Sequence, residues 1–386
     1  MWDRLATMSN DIYLIEDASD RIGDSALLQR WRELLAESES HDRVYQSPEF
    51  FHYLRSTAKR HAPPRLFTVL ERASRTVVGV VPLVLRHHSF EFSAGRLRFG
   101  SLPAFSVALL GSAPLMPERP GLLDLLFEFL LEKFPKCHAI SLTSLPSDSK
   151  LWRSISDDAG NARGYRKHLL NNWRDCHQIP LPASFEAFMA QFGSKRRYNL
   201  KRQQRQLRDH GGGQLELHRI ERPEQLASML EALARLITPE HRAQLWTEEE
   251  MQGLAQHGML LCYQIDCGGQ PCALILGLRS SDTLHLFNIF HDSALDHLSV
   301  GTTILHMAIE DLCGHRFVCI DLGYGTPGHS YQSSNVTVQR GHVLLMRQGL
   351  RNRLVCALHG SFVAATATAR RHIKLISRAR ERIARI

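Results

Sequence analysis

Long apolar runs are missing from this sequence. No stretch of about eighteen consecutive apolar residues occurs in its 386 residues, so an ordinary membrane-spanning helix is not expected. The apolar segment Leu122–Leu131 carries Asp124 and Glu128 four residues apart and reads as an amphipathic helix. The opening residues, MWDRLATMSNDIYLIED, contain acids and no apolar core, so a secretory signal is not expected. Closely spaced cysteine pairs are also missing. The eight cysteines are too few for a disulfide framework in a chain this long. Cys262, Cys267 and Cys272, five residues apart, lack the short spacing of a zinc site and flank a turn at Asp266–Gly269. They read as reduced thiols, no metal site is expected, and the expected compartment is the cytoplasm.

Acidic residues are scarce at one end only. Residues 347–386 hold ten Lys/Arg and a single acid, Glu381; the whole chain is +8, so the first 346 residues sum to −1. The basic character therefore belongs to the tail, which argues against a body built to bind nucleic acid. The tail, 348–386, has a helical pattern. Uncharged Leu354–Ala369 is flanked by basic residues, and Ile373, Leu375, Ile376, Ile383 and Ile386 are interleaved with Arg and Lys. Such a helix lies on an anionic membrane surface, packs on the body or meets a partner protein.

An apolar content of 44% over this length supports two domains, expected at 1–180 and 181–347, followed by the tail. In the first half, helices are expected near 26–39 and 48–58. A hairpin follows at 65–71 and 76–86, with short strands at 96–100 and 105–110, a helix at 121–134 and a buried strand at 138–142. The second half has an Arg-rich helix at 184–207, a strand at 214–220 and helices at 223–237 and 248–257. Strands at 259–266, 270–279 and 283–291 lead to a helix ending at Leu312 and strands at 317–322 and 336–347. Helices on a mixed, largely antiparallel sheet make the class α/β (α+β), with the same order of elements appearing twice.

The stretch Phe287–Gly325 carries the most information. A strand, Thr283–His291, leads through Leu298-Ser299-Val300-Gly301-Thr302-Thr303 into a helix, and Phe317–Leu322 follows as a buried strand. Ser299, Val300, Gly301, Thr302 and Thr303 fall where a helix start has unpaired N–H groups and a favourable dipole for an anion. A diphosphate-bearing ligand suits it, although Ser299 is also an ordinary N-cap residue. This loop has neither the Gly-Lys-Ser/Thr end of a phosphate-loop NTPase nor a dinucleotide-binding GxGxxG. The first half has no counterpart: its corresponding segment, Gly111–Gly121, contains Pro114, Pro117 and Pro120, and proline lacks the N–H a phosphate needs. That half is expected to bind no cofactor.

The block LSVGTTILHMAIEDLCGHRFVCIDLGYGTPGHSY, with SFEAFMAQFGSKRRYNLKRQQRQL at Ser184–Leu207 and Gln46-Ser47-Pro48-Glu49-Phe50-Phe51, resembles GNAT-fold acyltransferases of the CelD/BcsL type, associated with cellulose biosynthesis. These are distant relatives of the FemAB/FemX aminoacyltransferases. Val300 stands where that family often has Pro, and Gln332 where it usually has Lys. The resemblance implies two tandem GNAT-like domains and transfer of an acetyl or longer acyl group from acyl-CoA, without a metal, to an amine or hydroxyl acceptor, with an amino sugar or exopolysaccharide precursor as the acceptor class. It keeps two rivals in view: a FemX-like aminoacyltransferase using aminoacyl-tRNA, and, because of Gln332, a non-catalytic accessory protein of polysaccharide biosynthesis.

Site candidates follow. The diphosphate is expected on 299–303, and the acyl end along the strand at Phe287 and Ile289. Asp321 closes a buried strand before Gly323-Tyr324-Gly325 and is a base or amine anchor, or a cap of that turn. Tyr331, at a position where the family has Tyr, is a proton donor to the thiolate or a packed tyrosine. His291 is a candidate base and His285 a substrate neighbour; six residues apart, they are expected on one face of the strand, with Asn288 on the other. Arg197 and Asn199 match family positions and are expected to reach substrate, as is Tyr324; His329 is a lesser loop candidate. The remaining charges of the Arg-rich helix suit phosphate or an acidic polymer, or simply form a solvated face.

Overall fold

The structure, a computed structural model, describes residues 11–38, 40, 42–57, 63–94, 97–156, 165–238, 242, 245–315, 317–324 and 336–383, the last fourteen of these as backbone only. Contacts divide the chain into two compact units that interleave in sequence: Met1–Ser40, Ala62–Arg174 and Gln339–Ile386 form one, and His41–His61 with Asp175–Val338 form the other.

The first unit is a mixed sheet of β1 (Tyr13–Asp17), β2 (Arg65–Glu71), β3 (Val77–Ala94), β4 (Leu97–Leu109), β5 (Ala139–Pro146) and β13 (Val336–Arg347), in that spatial order, with β6 (Tyr165–Leu169) also paired to β13. All pairings are antiparallel except β4 with β5, which run parallel over Ser106–Ala108 and Ala139–Ser141. Helix α3 (Leu122–Lys133) makes that crossover. It is apolar nearly all round, and six of its side chains are buried against Phe67, Val69, Val81, Leu83 and Ile140. Helices α1 (Ser25–Glu37) and α4 (Lys150–Ser156) also belong to this unit. The tail is one long helix, α10 (Leu350–Ile383), whose Val355 and Cys356 pack against Phe90, Ala104, Ala139, Leu344 and Met346. That second core explains why β3 and β4 continue as a long hairpin where short separate strands were expected: burial of Phe90 holds the polar segment around His87–Glu91 in strand form.

The second unit is a sheet in the order β7 (Arg174–Pro180), β12 (Cys319–Tyr324), β11 (Thr283–His291), β10 (Gln270–Arg279), β9 (Cys262–Cys267) and β8 (Leu215–Ile220). Only β11 with β12 is parallel, over Thr283–His285 and Cys319–Asp321. Helix α9 (Val300–Gly314) makes this crossover. With α5 (Phe185–Ala190) and α6 (Ser194–His210), it contributes to a core containing Phe188, Leu207, Tyr263, Ile275, Leu284, Ile304 and Ile320. The Arg-rich helix expected as one piece breaks at Gly193, the N-cap of α6. Helices α2 (Pro48–Ser56), α7 (Leu226–Leu236) and α8 (Glu248–Gln256) also belong here, with Gly253 of α8 against the Tyr53 ring of α2. Burial pushes the Cys262 and Cys272 thiols up to about 12, which leaves them inert. Each unit thus contains one strand–helix–strand crossover closed by a parallel pair only three residues long.

The first unit also buries a group of histidines. His168 Nε2 lies 3.1 Å from His359 Nδ1, Ser141 Oγ lies 2.7 Å from His342 Nε2, and the His88 and His342 rings are 5.7 Å apart. Burial, followed by the neighbouring imidazole, pushes His168 and His342 down to about 4 from 6.5. The folded state therefore refuses protons that the unfolded chain takes up. Stability is complete above pH 6.5 and is lost as pH falls from 6.5 towards 4. Thermal unfolding across this window is expected to show Tm falling by several degrees, less steeply in His342→Gln; a flat Tm would contradict the burial of neutral imidazoles.

Candidate active site

The site begins with a slip of one residue. In β11, Leu286 pairs with Gly277 and Asn288 with Leu276, so Phe287 is an extra residue, a β-bulge. A bulge reverses the alternation of faces beyond it. His285, opposite Leu278, and His291, opposite Ala273, therefore lie on opposite faces, and Asn288 shares the face of His285. This corrects the expectation from even spacing. The bulge also exposes Phe287, whose ring lies 4.8 Å from that of Trp246.

β11 and β12 are paired up to His285 and Asp321, and no further. Beyond that point β11 stays bonded to β10 as far as His291, while β12 stays with β7. Among the described residues, the edge of β11 that would have bonded β12 has no strand beside it over Leu286–His291. At the parting, His285 and Asp321 are side by side and buried. Asp321 Oδ1 accepts the Gly323 N–H at 2.8 Å, and Oδ2 accepts Gln178 Nε2 at 3.4 Å. Gly323 has φ +65°, a conformation glycine adopts without strain. Asp321 thus caps the glycine turn, whatever else it does. The Tyr45 ring lies 6.0 Å from that of His285. Tyr324 is on the exposed end of β12.

The start of α9 lies on the other face. Ser299 is its N-cap, but with φ +56° and ψ 43°, and its side chain makes no capping bond; instead Ser299 Oγ accepts Gln203 Nε2 at 3.1 Å. The Ser299 N–H donates to the Asp296 carbonyl at 3.0 Å, and the Thr302 and Thr303 N–H groups both donate to the Ser299 carbonyl at 3.1 and 3.0 Å. Of the five residues expected to offer amides, Val300 and Gly301 alone keep theirs without an acceptor among the described residues. His291 stands next to them. Its Nε2 is 2.8 Å from Asp296 Oδ1, and its Nδ1 would lie 3.5 Å from a Cβ placed on Gly301, with Ile289 Cγ2 at 3.9 Å. The structure therefore sets His291 and Ile289 at the helix start, away from the Asp321–His285 pair.

These residues line a groove of about 920 Å³ between α6 and α9, whose walls include Lys195, Arg196, Asn199, Gln203, His291, Asp296 and Ser299–Thr302. Asn199 is on its wall. Arg197 is not: its guanidinium donates to the Phe192 carbonyl at 2.8 Å and secures the start of α6. Arg196 lies 4.3 Å from the centre of the Phe192 ring, and burial lowers its pKa. Tyr331, Gln332 and His329 lie outside the described residues. Sequence reasoning missed Gln178, Gln203 and Asp296; an acid three residues before Ser299 at the helix start was the available signal for Asp296. The groove combines two amides without an acceptor among the described residues, a helix dipole and two cations, which fits a diphosphate.

Residues 194–332 match the model of the family described as acetyltransferase (GNAT) domain. The matched stretch, 139 of the chain's 386 residues, is similar to that family. Among solved structures, FemX superposes with a TM-score of 0.60 at 10% identity, over 86% of this chain and 98% of its own. A conserved protein of unknown function from Bacteroides thetaiotaomicron gives a TM-score of 0.50 at 12% identity, over 83% and 97%. A tandem GNAT protein from the clavulanic acid biosynthesis pathway gives 0.48 at 12%, over 87% and 99%. At such identities the likeness is one of fold. No curated protein sequence matches.

Gly301 separates folding from ligand binding. Alanine there meets only ordinary contacts. Gly301→Ala is expected to leave stability unchanged or raise it by roughly 0.5–1 kcal/mol, while weakening acyl-CoA binding by about tenfold, or 1.4 kcal/mol. Thermal unfolding and calorimetric titration of the same preparation check both; unchanged affinity would remove Gly301 from the site.

Proposed function

We propose that the chain is an acyl-CoA-dependent acyltransferase whose acyl-CoA diphosphate is held by the Val300 and Gly301 amides, with Lys195 and the dipole of α9 supplying positive potential. One observation carries this reading: β11 leaves β12 after three parallel pairs, and its far end, at His291, borders a large groove at a helix start without a side-chain cap. The open edge of β11 offers backbone N–H groups for the thioester carbonyl and the oxyanion that follows. Asp321, at the parting, serves as base or anchor for the attacking amine or hydroxyl, oriented by Gln178 and the Gly323 N–H. His291, fixed by Asp296, borders the diphosphate and is better placed to bind than to remove a proton. Tyr331 retains the proton-donor role that the family resemblance implies. An amino sugar or exopolysaccharide precursor of the CelD/BcsL class is the acceptor this resemblance favours, and the first unit, with its proline-rich loop before α3, is read as scaffold without a cofactor.

A second reading, aminoacyl transfer from aminoacyl-tRNA, has two supports. The likeness of fold to FemX is one, and the exposed Lys195, Lys201, Arg202, Arg205 and Arg208 along α6 are the other.

Calorimetry with acetyl-CoA and longer acyl-CoAs tests the main reading, followed by thiol release with candidate amines. Binding is expected, and Asp321→Asn, which can still accept the Gly323 N–H, is expected to lower kcat by about 10²–10⁴-fold with little change in acyl-CoA affinity. No binding of any acyl-CoA, together with tRNA binding that falls steeply with salt, would replace the main reading by the second. Unchanged kcat in Asp321→Asn would reduce that residue to a turn cap.

A further inference from the structure

In the first unit, α10 covers the sheet with one side and leaves the other open. Cys356 and His359 are buried, whereas Leu350, Leu354 and Leu358 are 85, 64 and 53% exposed. Spaced by four, these leucines form one stripe. Ala357, Ser361, Ala364, Ala365 and Thr368 are exposed as well, so the open face carries no charge from Leu354 to Ala369. Cations bracket it. Arg351 and Arg353 precede it and are exposed, and the helix backbone continues to Ile383 through a segment, 370–386, with seven Lys/Arg and one acid. The β3–β4 hairpin extends the apolar surface: Phe99, 65% exposed, has its ring 5.7 Å from that of Phe362, and Leu97 beside it is 66% exposed.

The basic residues on either side of this uncharged apolar face match an anionic lipid surface by charge. We propose that α10, with the tip of the β3–β4 hairpin, docks the protein on the surface of an anionic phospholipid membrane. The exposed leucines and Phe99 enter the boundary between headgroups and acyl chains, and Arg351 and Arg353 pair with lipid phosphates. No helix among the described residues is long and apolar enough to cross a membrane, so the contact proposed is with its surface. The proposal does not depend on the acyl-CoA reading, because none of its residues borders the groove between α6 and α9.

Flotation of the full-length protein with vesicles of phosphatidylcholine alone, or of phosphatidylcholine with phosphatidylglycerol, tests it. The protein is expected to float with the anionic vesicles only, less so as salt is raised. The double variant Leu354→Asp/Leu358→Asp is expected to reduce the bound fraction about tenfold. Both positions are exposed, so thermal unfolding of the variant should match that of the parent, and a charge reversal at Arg351 and Arg353 gives an independent second variant. Absence of flotation, equal flotation with neutral vesicles, or equal flotation of both variants would overturn the proposal. A dimer seen by sedimentation and broken by the aspartates, without flotation, would assign the face to a second copy of the chain instead.

Discussion

The site depends on the short life of one strand pairing. Parallel strands joined by a helix normally stay together along their length, because every unpaired backbone group on a buried edge is costly. Here β11 and β12 pair for three residues and then part. Among the described residues, no strand pairs with β11 on that side beyond His285. The bulge at Phe287 acts on the same stretch. It keeps β11 bonded to β10 while turning the following residues over, so Ile289 and His291 face the start of α9, and His285 faces Asp321 across the opposite side. One extra residue thus separates a polar pair at the parting from an anion-binding pocket at the helix start.

Electrostatics reinforces that division. The groove end has a helix dipole, Lys195 and Arg196, with Asp296 engaged by His291. The parting has a buried carboxylate held by an amide and a side-chain amide donor. Ser299 bridges the helix to α6 through Gln203. Its left-handed backbone costs of order 1 kcal/mol in a residue with a side chain, and it turns the chain so that the next two amides point away from protein acceptors. The first unit repeats the strand–helix–strand arrangement, with Gly121 in the N-cap position of α3 and three prolines in the loop before it.

Much of this was legible before any coordinates. The strand ending near His291, the helix beginning near Val300 and the buried strand through Asp321 follow from apolar periodicity, and the small residues at that helix start are plain in the sequence, where Ser299 also reads as an ordinary N-cap. The mixed class of the sheets followed from the order of elements. Four features were not legible. The bulge is set by pairing with β10, and nothing in FNIF marks a slip of register, so two histidines were placed on one face. The amides of Thr302 and Thr303 are taken by the Ser299 carbonyl because of the left-handed turn, which serine seldom signals. Arg197 bonds the Phe192 carbonyl because α6 starts only at Ser194, and that break is set by Gly193. The length of the β3–β4 hairpin depends on burial under α10, more than 250 residues later in the chain.

The most direct test is the amide NMR signal of Gly301 in glycine-labelled protein titrated with coenzyme A and, separately, with pantetheine, which lacks the diphosphate. The account predicts a saturable downfield shift of Gly301 with coenzyme A and little movement with pantetheine. A Gly301 signal that stays in place while calorimetry reports coenzyme A binding would contradict it.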